Sequence, residues 1–100
     1  MREFVVELGD AHTYDAFVAA FNHGLCRHAG GEWGGRSWDA FHDYLSWPDD
    51  EEFRLVFRGW AGCGGLTAAD RRMVREILAG NPHVQVVYAE PHAAPDGPRP

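Results

Sequence analysis

The stretch Gly30–Leu45, GGEWGGRSWDAFHDYL, decides how this chain folds. Four glycines surround one tryptophan, and a serine then opens a run in which Trp38, Phe41 and Leu45 recur at helical spacing. Ser37 is the N-cap that such a run needs, because a serine hydroxyl accepts an N–H group that the first helical turn leaves unpaired. The spacing predicts a helix from Trp38 to about Ser46, stopped before Pro48. The glycines end whatever helix precedes them. A loop rich in glycine that feeds a short capped helix is the pivot around which the remaining elements must be placed.

Upstream of the pivot, REFVVEL (residues 2–8) is short, β-branched and bounded by Gly9, which reads as a strand. Thr13 is positioned as an N-cap, and Ala16, Phe17, Ala20, Phe21 and Leu25 follow at helical spacing, with Gly24 a weak point in that helix. Downstream, PDDEE (48–52) reads as a solvated acidic loop, FRLVFRGW (53–60) as a second strand, and AGCGG (61–65) as a flexible connection. Thr67 caps a third helix with Met73, Val74, Ile77 and Leu78 on one face, and Gly80 and Pro82 stop it. HVQVVYA (83–89) is the third strand. The tail PHAAPDGPRP (91–100) is rich in proline and reads as disordered. The order is β-α-α-β-α-β. Strands separated by helices pair in parallel through right-handed crossovers, so the expectation is one α/β domain over residues 1–90, a small three-stranded parallel sheet with helices packed on it.

Composition narrows the function. The chain has 100 residues and 45% apolar residues, enough for one modest core and too apolar for disorder. Its formal net charge is −6, and all nine of its basic Lys/Arg residues are arginines. That balance disfavours nucleic acid, which needs a basic footprint, and suits a partner whose binding face is positive. No apolar run reaches membrane-spanning length. MREFVVELGD is too short and too acidic for a secretion signal, so a cytoplasmic location is expected. The two cysteines, Cys26 and Cys63, form no pairing motif and are expected to be free thiols. His23, Cys26 and His28 lie near one another but lack a fourth ligand, so neither a metal nor a cofactor is expected.

Gly30–Ser37 also reads G-x-x-x-x-G-R-S, one residue from a phosphate-binding loop. Such a loop follows a strand and opens a helix, so that backbone N–H groups face the anion. Here a helix precedes the glycines, Arg36 stands where the lysine belongs, and no later strand ends in a magnesium-binding aspartate. A nucleotide-binding enzyme is therefore the weaker reading.

The helix after the loop carries the stronger signal. On a helical wheel Asp39, Asp43 and Ser46 fall opposite the Trp38–Phe41–Leu45 stripe, and His42 lies between the two faces. Asp39 and Asp43 are i and i+4, so they repel by a few tenths of a kcal/mol, and no arginine at i±4 relieves either. The helix dipole favours Asp39 in the first turn and does little for Asp43. Trp33, on the loop just ahead of them, either folds back onto the core or presents an aromatic anchor to a partner. Glu76 lies off the apolar face of the third helix, where Arg72 at i−4 is placed to pair with it.

These residues resemble the barstar-like ribonuclease inhibitors. The likeness rests on an aromatic, a glycine and then W-D-A-F-x-D-x-L, here Trp33, Gly35, Trp38, Asp39, Ala40, Phe41, Asp43 and Leu45, together with the element order over residues 4 to about 90. The resemblance implies an inhibitor or immunity protein with no catalysis of its own, which plugs the active site of a small ribonuclease or ribonuclease-type toxin. On that reading Asp43 goes deepest, Asp39 and Trp33 flank it, Glu76 reaches across from the third helix, and Gly34, Gly35, His42 and Ser46 complete the face. It implies a monomer when free. Gly34, Arg36 and His42 depart from the family's best-known pattern (a second loop aromatic, an acid and a tryptophan), which implies either a different cognate ribonuclease or toxin or contact details that have drifted. An interaction domain that keeps the fold without binding a ribonuclease is the remaining alternative.

Overall fold

The computed structural model describes residues 2–46 and 51–90; the proline-rich tail and most of the acidic loop (48–50) lie outside the described residues. The elements follow the expected order: β1 (Arg2–Glu7), α1 (Tyr14–Gly24), α2 (Trp38–Leu45), β2 (Phe53–Arg58), α3 (Ala68–Ala79) and β3 (Val84–Ala89). A 3-10 turn, Cys26–Ala29, lies between α1 and α2. The protein is thus an α/β domain with a three-stranded sheet in the order β1-β2-β3, parallel throughout.

Two successive crossovers of the same hand, moving in one direction across the sheet, place their helices on one face. Burial agrees. Phe4, Val6, Leu8, Phe53, Leu55, Phe57 and Val84 turn into a core shared with Phe17, Phe21, Phe41, Leu45, Val74 and Leu78 from the helices. The alternate positions hold Glu3, Glu7, Arg54 and Arg58, and the register pairs them across strands, Glu3–Arg54 at 3.9 Å and Glu7–Arg58 at 2.9 Å.

All three predicted caps form. Thr13 accepts from Ala16 N at 3.1 Å, Ser37 from Ala40 N at 3.3 Å, and Thr67 from Asp70 N at 3.0 Å, with Asp70 returning the bond to complete a capping box. Gly24 is a close-approach position rather than a weak point, since a side chain there would collide with the Val5 carbonyl of β1. The second strand ends at Arg58, two residues short of the expected Trp60, because Gly59 turns the chain at φ 82°. Trp60 is instead held by Arg71, which donates to Trp60 O at 2.7 Å and lies 5.0 Å from the ring. Met73 is corrected as well. At one residue from Val74 it is rotated off the buried Val74–Leu78 stripe and is 38% exposed.

Candidate functional site

α2 is a helix of eight residues fixed at both ends. Its buried side is Phe41 and Leu45, with Trp38 half-buried against Tyr14, Trp33 and Phe41. At its far end Ser46 Oγ donates to His42 O at 3.1 Å and lies 3.4 Å from Asn81 Oδ1, and a His83 ring nitrogen sits 2.8 Å from Leu45 O. Ser46, expected on the contact face, is therefore half-buried and ties α2 to the end of α3.

What remains on the outer side is Asp39, His42 and Asp43, all exposed. Among the described residues neither aspartate has an ion-pair partner. Glu76 is exposed on α3, the helix that α2 touches, and the expected Arg72–Glu76 pair is not among the ion pairs of the described residues. The structure thus leaves three carboxylates, Asp39, Asp43 and Glu76, facing solvent on two packed helices, with no ion-pair partner among the described residues.

Trp33 is not an exposed anchor. It is 2% exposed and packs among Phe17, Phe21, Trp38 and Phe41, so of the two placements open to it the core placement is the real one. The reason is hydrogen bonding as much as apolar area: its indole Nε1 donates to Ser37 O at 2.8 Å, and its backbone is bracketed by Asn22. A buried tryptophan needs a partner for its N–H, and this one finds it at the cap of α2. Trp33 therefore positions the loop and helix rather than contacting a partner.

Further residues that sequence reading did not single out hold the same loop. Asn22, buried on α1, donates Nδ2–H to Trp33 O at 2.8 Å and accepts from Trp33 N. Tyr14 donates its hydroxyl to Gly35 O at 2.8 Å, and Tyr44 to Glu32 O at 3.2 Å. Burial, and then the negative charge of Asp70, raise the Tyr14 pKa, which keeps that phenol a donor. Asn22 does leave a trace in the sequence, as an amide beside Phe21 on the buried side of α1. A polar group there must find partners.

The two loop glycines differ. Gly35 has φ 82°, and a Cβ there would stand 2.7 Å from Val18 Cγ2. Gly34 has no positive φ, and a Cβ there would meet nothing within 4 Å. The fold requires glycine at Gly35 and leaves it unexplained at Gly34. The G-x-x-x-x-G-R-S stretch follows the 3-10 turn, not a strand, so it lacks the surroundings of a phosphate-binding loop. A cavity of about 320 Å³ opens elsewhere, beside Trp60, Tyr88 and Glu90 at the carboxyl ends of β2 and β3, and includes none of the α2 residues. Among the described residues no group of three or more His, Cys, Asp or Glu side chains is placed to hold a metal ion, and no helix is long and apolar enough to cross a membrane.

No model of a known protein family matches this chain, and no curated protein matches it either.

Proposed function

We propose that this chain is a barstar-like inhibitor of a small ribonuclease or ribonuclease-type toxin, and that it acts by presenting Asp39, Asp43 and Glu76 to the enzyme's phosphate-binding groups. The observation that carries this reading is the pair of exposed, unpaired aspartates one turn apart on a short helix whose ends and preceding loop are all tied down. Two acids at i and i+4 repel, and within the described residues nothing relieves them. A ribonuclease active site is lined with cationic side chains that hold RNA phosphates. Carboxylates held in place can occupy that field, with charge-assisted hydrogen bonds to arginine in particular. The repulsion stored in the free helix is then released on binding.

The contact face runs from Gly34 and Gly35 through Asp39, His42 and Asp43 to Glu76, with Trp33, Ser46 and Asn22 behind it. Gly34, which the fold does not require, lets the enzyme approach the loop backbone closely.

The test is inhibition of secreted ribonucleases and ribonuclease-type toxins encoded beside this gene, with Asp43→Ala, Asp39→Ala and Glu76→Ala compared against Glu51→Ala. Glu51 is an exposed acid 3.8 Å from Arg2, away from α2 in sequence and of the same charge. Loss of inhibition confined to the three helix acids supports the reading. Equal loss from Glu51→Ala reduces the effect to net charge and overturns the helix plug.

A further inference from the structure

We infer that the outer edge of β3 pairs with β3 of a second copy of this chain, antiparallel, across a two-fold axis at Val87. The inference is independent of the proposed function and engages no residue of the α2 face.

The two edges of the sheet differ in chemistry. β1, at one edge, reads REFVVE and carries Arg2, Glu3 and Glu7. β3, at the other, reads VQVVYA, without charge, proline or glycine. Charges on an edge strand guard it against a further strand, and an uncharged β-branched edge invites one. Exposure points the same way. Val87 is 39% exposed and Tyr88 45%, and as neighbours in a strand they point to opposite faces. Val87 lies on the face that the helices leave uncovered, whereas Tyr88 lies on the helix face beside Phe57, so the exposure of Tyr88 marks an edge with no described element alongside it.

The backbone shows which groups are on offer. Phe53 N donates to His83 O and Gly59 N to Ala89 O, so the odd-numbered residues of this segment turn toward β2. A strand's hydrogen-bonding direction alternates with period two. Val84, Val86 and Tyr88 therefore turn outward, and the Val84 N–H is already donated to Asn81 O. Val86 and Tyr88 direct both N–H and C=O to the outer edge, where no strand pairs with them among the described residues.

A second copy satisfies all of this. In an antiparallel pair centred on Val87, Val86 of each copy lies opposite Tyr88 of the other, and each such pair exchanges its two outward N–H and C=O groups. Even residues oppose even residues, so the helix layers of both copies stay on one side of the joined sheet. Tyr88 gains a valine across from it, a favourable aromatic to β-branched pair, and Val87 meets its own counterpart. The strand is uncharged, so it meets itself without repulsion in a chain whose net charge of −6 opposes self-contact elsewhere. Antiparallel pairing closes as a dimer, because both copies use the same edge. This departs from the monomer that the sequence leads one to expect.

The geometry gives a site-specific test. Opposed residues of a non-hydrogen-bonded antiparallel pair have Cα atoms about 4.5 Å apart, within reach of a disulfide. Val87→Cys should cross-link into a covalent dimer under mild oxidation. Gln85→Cys, which lies opposite Ala89 of the other copy, should not. Cys26 and Cys63 are buried and do not compete. Sedimentation velocity of the unmodified protein should show twice the monomer mass of 11.2 kDa growing in from low micromolar to submillimolar concentration. Val87→Lys should remain monomeric with an unchanged thermal melt when dilute. A wild-type chain that stays monomeric throughout, cross-linking of Gln85→Cys as fast as Val87→Cys, or open-ended oligomers would each overturn the two-fold strand pairing.

Discussion

The side-chain amide of Asn22 and the main chain of Trp33 exchange two hydrogen bonds in the interior, Nδ2 to Trp33 O at 2.8 Å and Trp33 N to Oδ1 at 2.5 Å. One α1 side chain thereby replaces the backbone partners that the loop would otherwise lack, and it anchors the residue from which the approach to α2 is built.

Asn22→Ala removes both bonds and leaves a buried N–H and a buried C=O unpaired. At about 1–3 kcal/mol for each of the two unsatisfied groups, the protein should lose about 2–6 kcal/mol, read as a lower urea midpoint. A loss within about 0.5 kcal/mol, the range of an ordinary surface change, would mean that the clamp contributes nothing.

The neighbouring glycines should respond oppositely. Gly35→Ala forces a side chain onto a backbone at φ 82° and against Val18, and should destabilise by about 1 kcal/mol or more. Gly34→Ala meets nothing, so its melting temperature should hold within what about 0.5 kcal/mol allows. If Gly34 serves close approach by the enzyme, the same substitution should weaken inhibition. Full inhibition by Gly34→Ala would remove the loop from the contact face.

Asp43→Ala should separate folding from binding. Removing one of two repelling acids leaves the melting temperature equal or slightly higher. Binding should weaken by about 3 kcal/mol or more, at least about a hundredfold, because the enzyme's cations are left buried and unpaired. A marked fall in the melting temperature would show that Asp43 belongs to the fold rather than to the face. Stopped-flow association with the enzyme should also slow as salt rises, since steering charges are screened beyond about 10 Å at 0.1 M.

Burial pushes the Cys26 thiol up to about 12. The folded state therefore holds this proton where the unfolded state releases it. The associated stability is fully present below about pH 8.5 and is lost as pH rises toward 12, with a slope of up to about 1.4 kcal/mol per pH unit. Tyr14 and Tyr88, both raised chiefly by burial, act in the same direction at still more alkaline pH. Urea unfolding between pH 8 and pH 11 should show the decline. In parallel, a thiol reagent at neutral pH should label the native protein slowly and the urea-unfolded protein at two sites. Rapid native labelling at Cys26 would contradict its burial.

Local rules carried most of the fold. Thr13, Ser37 and Thr67 cap where a hydroxyl ahead of an apolar stripe says they should, and strands alternating with helices led to a parallel sheet. Features that depend on contacts distant in sequence were not legible in that way. Nothing in GGEWGG distinguishes a tryptophan pointing outward from one folded inward. Trp33 is decided by Asn22, 11 residues earlier, and by the Ser37 carbonyl. Gly24 looks like a defect until β1 lies against it. Met73 was misplaced because four apolar residues in a row of six span a wider arc than the buried side of α3. The acids of α2 were visible as a face without a helical arginine partner, whereas the absence of the Arg72–Glu76 pair among the described residues appeared only in the structure.

The parallel pairing of the first two strands closes the longer of the two crossovers. Glu7 and Arg58 meet across 51 residues of chain, a closure that encloses α1, the glycine loop and α2. β3 reaches β2 through the shorter α3 crossover. Contacts so distant in sequence carry a large loop-closure cost and slow the approach to the native state. Asp39 and Asp43 lie inside the longer loop and Glu76 inside the shorter one, so on the proposed reading a half-assembled chain with only β2, α3 and β3 docked lacks two of the three contact carboxylates. In a refolding experiment, capacity to block the enzyme should return with the last recovery of tryptophan fluorescence. On the proposed reading, full capacity to block an enzyme belongs to the assembled chain alone.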